Sequence, residues 1–95
     1  MSPFHVYILR CADNSLYVGS TADLESRVDV HNSGRGPSHT ANRRPVTLVY
    51  FKSLPTLSTA RTREIQIKKW TRAKKQALIA GDEASLHDLS RRRSK

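Results

Sequence analysis

Two short runs rich in β-branched and aromatic residues, a third run after residue 45, and helix-length segments with capping residues predict an α+β fold. The expected architecture is a small three-stranded antiparallel sheet flanked by helices, in the order ββαβαα. "FHVYILR" (4–10) and "LYVGS" (16–20) are the first two strands, and "CADNS" between them supplies Asp13 and Asn14 for a hairpin turn. Ser20 or Thr21 then caps a helix through "ADLESRVDVHNS". Asp23 and Glu25 sit near its positive N-terminal end, and Gly34 is placed to stop it. "GRGPSHTANRRP" reads as a loop from its Gly, Pro, Ser and Asn content, and "VTLVYFKSL" (46–54) as the third strand. Ser58 caps a second long helix running to about Trp70, and Thr71 starts another that ends at Gly81. A last short helix around "EASLHDLS" lays Leu86 and Leu89 on the body. Residues 1–82 therefore form one domain, and 83–95 a short C-terminal helix with a basic tail.

Length and composition agree with one modest core: 95 residues, 10.7 kDa and 37% hydrophobic residues support a single domain. No apolar run approaches the roughly 20 residues of a membrane span. "MSPFHVYILR" has no secretory pattern, and the single cysteine, Cys11, allows neither an internal disulfide nor a multi-cysteine zinc site, so a cytoplasmic location is expected. Cys11, His5 and His87 read as structural or surface residues.

Charge gives the first functional direction. Seventeen Lys and Arg against eight Asp and Glu leave +9, with a pI near 10.5, above the value of about 9 that marks a nucleic-acid footprint. The cations crowd into "RTREIQIKKWTRAKK" (61–75) and the terminal "RRRSK". A solvated helix face with a solubilising tail is the bland alternative; a polyanionic partner is the expectation. The candidate phosphate contacts are Arg35, Arg43 and Arg44 of the loop with Lys68, Lys69, Arg72, Lys74 and Lys75.

Helical spacing then picks out particular side chains. Leu24, Val28 and His31 share a face, and Arg27, four residues before His31, is its neighbour, the two lying on the edge of the inward stripe. Ala60, Glu64, Ile67 and Thr71 line another stripe, which puts a carboxylate on the inward face, while Ile65 points away. Desolvating a lone charge costs several kcal/mol, so Glu64 is either paired, with Arg63, Lys68 or Arg27, or functional. Trp70 reads as a core anchor that closes its helix's apolar stripe.

"HVY" and "YVG" with tyrosines ten residues apart, Arg27-x-x-x-His31 on one helix and Glu64 on the next resemble the GIY-YIG nuclease superfamily. Over residues 4 to about 80 the text is similar to small stand-alone bacterial members related to the N-terminal domain of the excinuclease C subunit. The resemblance implies a three-stranded antiparallel sheet with helices, and hydrolysis of a nucleic-acid phosphodiester with one divalent ion, Mg2+ or Mn2+. It makes Tyr7, Tyr17, Arg27, His31 and Glu64 the catalytic set, with the two tyrosines on one sheet face and Glu64 as the protein's metal ligand. Gly19 matches the glycine closing the second tripeptide, where a missing side chain admits the scissile phosphate or a neighbouring strand.

Tyr7 is then the candidate general base, assisted by Tyr17 or His31; alternatively either tyrosine only orients the water. Arg27 would bridge phosphate oxygens. His39 stands where close relatives often carry a tyrosine and is a candidate proton or phosphate contact. The later-helix asparagine of many members has no clear counterpart, and "HVY" departs from the name motif. The expected function is a metal-dependent endonuclease acting on DNA, with repair or processing of single-stranded or branched DNA in view. The alternative is a non-catalytic nucleic-acid-binding module of the same fold. DNA is the expected partner, no membrane is expected, and protein partners stay open.

Overall fold

The computed structural model describes residues 3–81. In chain order the elements are β1 (Phe4–Arg10), β2 (Leu16–Thr21), α1 (Leu24–Asn32), α2 (Ser38–Ala41), β3 (Thr47–Leu54), α3 (Leu57–Lys68) and α4 (Arg72–Ala80). The sheet order is β2-β1-β3 with both pairings antiparallel, so the α+β expectation holds. The expected helix around "EASLHDLS" and the "RRRSK" tail lie outside the described residues.

The hairpin forms where Asp13 and Asn14 place it. The Asp13 carboxylate accepts from the Ser15 amide at 3.0 Å, and Asn14 takes φ +71°, a left-handed conformation that asparagine tolerates. Alternation along β1 then sends neighbouring residues to opposite sides of the sheet. On one side Val6 and Ile8 join Val18 and, from α3, Ile67, with Trp70, Leu78 and Ile79 packed around them. On the other, Tyr7 and Leu9 join Cys11 and Val46, with Leu24 and Val28 of α1 against them. Each fully buried aliphatic side chain contributes about 1.5–3 kcal/mol.

Several boundaries differ from the sequence expectation. β2 runs on through Thr21, so neither Ser20 nor Thr21 caps α1; Asp23 does, accepting from the Ser26 amide at 3.1 Å. Thr56, not Ser58, caps α3, through a reciprocal pair with Thr59, and α3 stops at Lys68, before Trp70. Thr71 and Gly81 bound α4 as expected, with Gly81 at φ +72°. β3 starts at Thr47, not Val46, because the Asn32 side-chain amide takes both backbone groups of Val46, at 2.7 and 3.1 Å. The segment expected to be a loop contains α2: the Pro37 carbonyl accepts the Thr40 and Ala41 amides and closes a short helical turn. Among the described residues, no helix is long and apolar enough to cross a membrane.

Candidate active site

In the β1–β2 register Tyr7 pairs with Gly19 and Leu9 with Tyr17, so both tyrosines stand on the α1 side of the sheet, diagonal to each other. Their rings are 6.5 Å apart, and the His31 ring lies 6.0 Å from Tyr7 and 5.1 Å from Tyr17. Glu64 reaches the same region from the opposite side. Ser20, on the α3 face of β2, donates to Glu64 Oε1 at 2.6 Å. β2 is an edge strand, and a cavity of about 360 Å³ along it is lined by Tyr7, Tyr17, Gly19, Ser20, Arg27, Arg61, Glu64 and Ile65. A wider concavity by Asn32, Ala41, Asn42, Arg44 and Pro45 offers no carboxylate, tyrosine or histidine.

Of the two uses expected for the missing side chain at Gly19, the close approach of a neighbouring strand is the one seen: Tyr7 of β1 is its cross-strand partner. A Cβ at Gly19 would stand 2.5 Å from the Tyr7 hydroxyl and 2.6 Å from its ring carbon Cζ. The missing side chain therefore makes room for the phenol itself. Gly19→Ala forces a ring that is only 1% exposed to move, an overpacking strain of about 1–3 kcal/mol. The thermal midpoint should fall in that variant, and with it any activity that depends on the Tyr7 hydroxyl. Wild-type activity and melting in Gly19→Ala would show that the Tyr7 position is not critical.

His31 is not at the edge of its helix stripe. It is fully buried behind Tyr7, and its Nε2 lies 3.0 Å from the Tyr7 hydroxyl while its Nδ1 lies 2.8 Å from the Thr40 hydroxyl. Burial, reinforced by the Arg27 charge, holds its pKa below the usual 6.5, so the ring is neutral near pH 7. Burial likewise raises the Tyr7 phenol above its usual 10, opposed by the Arg27 guanidinium beside it. For Glu64, burial pushes upward but is outweighed by hydrogen bonds from Lys68 and Ser20 and by the Lys68 and Arg61 charges. The carboxyl stays below its ordinary value and is ionised.

Glu64 is thus paired, as one of the two sequence readings required: Lys68 Nζ sits 2.6 Å from Oε2, one helical turn on. The partner's side chain is 49% exposed and Glu64's 18%, so the pair lies at the cavity mouth rather than in the core. Among the described residues no cluster of three or more His, Cys, Asp or Glu exists. A single ionised carboxylate in an open cavity still suits a hard divalent ion that keeps most of its ligands as water and phosphate oxygens, provided the half-exposed Lys68 head group moves aside.

The outer candidates divide. Arg35, Lys69 and Arg72 are exposed, and Arg72 also donates to the Asn14 carbonyl at 2.7 Å. Arg43 is tied to Asp13 at 2.8 Å; Arg44 donates to the Ala41 carbonyl and lies against Gly34. His39 lies on α2 with its Nε2 3.1 Å from the Ser15 hydroxyl and its ring 5.9 Å from Tyr17, outside the cavity lining. Lys75 is half-buried. Lys74 corrects the expectation outright: it is 7% exposed, with its ammonium 4.1 Å from the centre of the Trp70 ring, so it packs the core edge instead of facing a phosphate. Trp70 takes Arg63 as well, at 4.9 Å, and packs on the core as expected.

Four contributors escaped the sequence reading. Arg61 lies three residues before Glu64, a helical spacing that could have flagged it, and Ser20 directly follows "YVG". Ile65, expected to point away, is 55% exposed yet forms part of the cavity rim. Thr40 carried no signal, because its segment read as loop.

Residues 3–77 match the GIY-YIG catalytic domain. A UPF0213 protein of Haloquadratum walsbyi is 51% identical, the match covering 82% of this chain and 89% of that protein. One from Staphylococcus haemolyticus is 44% identical over 83% and 96%. The solution NMR structure of a UPF0213 protein from Bacillus halodurans superposes with a TM-score of 0.55 at 37% identity, covering 83% of this chain and 84% of that one. A solution NMR structure of a protein from E. faecalis gives 0.60 at 35%, covering 88% and 90%. With its tyrosine pair, buried histidine and edge-strand cavity in this arrangement, the chain belongs to the GIY-YIG family, a superfamily of nucleases.

Proposed function

We propose that this protein is a metal-dependent endonuclease that hydrolyses phosphodiester bonds in DNA, with single-stranded or branched DNA as the substrates to try first. One observation carries the reading: Tyr7, Tyr17, Arg27 and Glu64, from β1, β2, α1 and α3, converge on one cavity open along a sheet edge. Tyr7 is the base, and His31 behind it receives the phenolic proton, which leaves a phenolate beside the Arg27 guanidinium. That phenolate takes a proton from water as the water oxygen bonds to phosphorus and the ester P–O bond breaks; the leaving oxygen takes a proton from solvent, balanced by the one that His31 returns through Tyr7. Arg27, with Arg61 on the opposite wall, holds phosphate oxygens as charge develops on them. Glu64 would hold one Mg2+ or Mn2+ ion, which supplies charge neutralisation at the phosphate and leaving oxygen.

The test is incubation of the pure protein with labelled single-stranded, duplex and branched DNA, each with magnesium, manganese or EDTA. Metal-dependent fragments support the reading. Binding without cleavage of any of them would favour the non-catalytic module.

Affinity should be largely electrostatic. Lys69→Gln and Arg35→Gln should each flatten the log-log salt dependence of binding by about one unit. Lys74→Gln should leave that slope alone and lower the thermal midpoint, because its ammonium rests on Trp70. Equal slopes for all three variants and the wild type would remove the phosphate assignment of Arg35 and Lys69.

A further inference from the structure

We propose that Thr40 is a positioning residue that fixes the tautomer of His31, so that Nε2 is free to take the Tyr7 proton. The inference rests on the nuclease reading above for its catalytic consequence, but its core is a directed chain of hydrogen bonds. In the proposed arrangement the threonine proton points to the Pro37 carbonyl oxygen, 3.1 Å from the Thr40 hydroxyl, an atom that only accepts and also receives the Thr40 and Ala41 amides. The same hydroxyl lies 2.8 Å from His31 Nδ1 and, its one proton committed, receives a hydrogen bond from that nitrogen. A neutral imidazole protonated at Nδ1 has a bare Nε2, and Tyr7, 3.0 Å away, donates to it. The polarity thus runs from the Tyr7 hydroxyl through His31 and Thr40 to the backbone at Pro37.

Space for this chain is kept at both ends. A Cβ at Gly36 would come within 2.8 Å of His31 Nδ1 and 3.0 Å of Thr40 Oγ1, and one at Gly19 would meet the Tyr7 hydroxyl. Both His31 and Thr40 are fully buried, so no water competes for either end of their bond. Short α2 therefore has a definite task. Its first turn, begun by Pro37, brings Thr40 under the ring on α1.

The experiment reads the tautomer directly, by long-range proton–nitrogen NMR of histidine-labelled protein, with the His31 signals assigned by a His31→Gln variant. Wild-type His31 should carry its proton on Nδ1 and none on Nε2. Thr40→Ser should keep that pattern and the cleavage rate. Thr40→Val should move the proton toward Nε2 and lower kcat about 100-fold with KM unchanged. A wild-type ring protonated at Nε2 would overturn the proposal, as would a Thr40→Val protein with wild-type tautomer and rate. The wild-type spectrum decides even if Thr40→Val fails to fold. Because it is read without turnover, the expected tautomer in a chain that cuts no DNA would support the bond polarity while sinking the nuclease reading.

Discussion

Glu64→Gln is expected to lower cleavage about a thousandfold or more while leaving the thermal midpoint within about 5 °C of wild type. The rate effect would follow from removing the one carboxylate that the described residues bring to the cavity, and with it the proposed anchor for a cation, whose charge stabilisation in a transition state is worth several kcal/mol. The small stability effect follows from geometry. Were Glu64 half of a core ion pair, its loss would strand a buried cation at a cost of about 3–5 kcal/mol. Lys68, however, is half exposed and returns to water, so the pair is worth about 0–1 kcal/mol. Glutamine also keeps an acceptor for the Ser20 hydroxyl, now 2.6 Å from Oε1. DNA affinity should be equal or slightly higher, since a negative charge near phosphate is gone. Thermal melting and cleavage measured on one preparation separate these effects. Normal melting with wild-type cutting would remove Glu64 from the mechanism.

Tyr7→Phe removes one hydroxyl and should cut the rate by about 10²- to 10⁴-fold with binding retained. Unlike Glu64→Gln it should also cost about 1–3 kcal/mol of stability, because the fully buried His31 loses the donor to its Nε2. The same bond sets the acid limb of the pH–rate profile. His31 accepts the phenolic proton only when neutral; burial and the Arg27 charge hold its pKa below 6.5, and Tyr7, Tyr17 and Thr40 complete its surroundings. Activity should therefore persist below pH 6.5 and fall only as the pH drops through that lowered value. Stability moves with the same sign: the unfolded chain binds this proton more readily, so the fold weakens as pH falls below 6.5. A rate that already halves at pH 7 would take His31 out of the proton path.

The sequence by itself determined the order of the three strands and of α1, α3 and α4, the hairpin at Asp13–Asn14, the limits of α4, and Tyr7, Tyr17, Gly19, Arg27 and Glu64 among the residues that line the cavity. Those features depend on local rules: strand alternation, turn and cap chemistry, helical spacing, and a motif whose order survives reading one residue at a time. Tertiary structure alone decided that His31 stands behind Tyr7, that Gly19 opens space for a phenol, that Lys74 lies on Trp70 and that Thr40 closes on His31 from a segment without pattern. Ser20 reaches Glu64 across 44 residues of chain, and Tyr7 reaches His31 across 24. Which polar group meets which, and which is shut away from water, is settled only when β2, α1, α2 and α3 pack around β1. Burial and hydrogen-bond partnership belong to that packing, not to any short stretch of sequence.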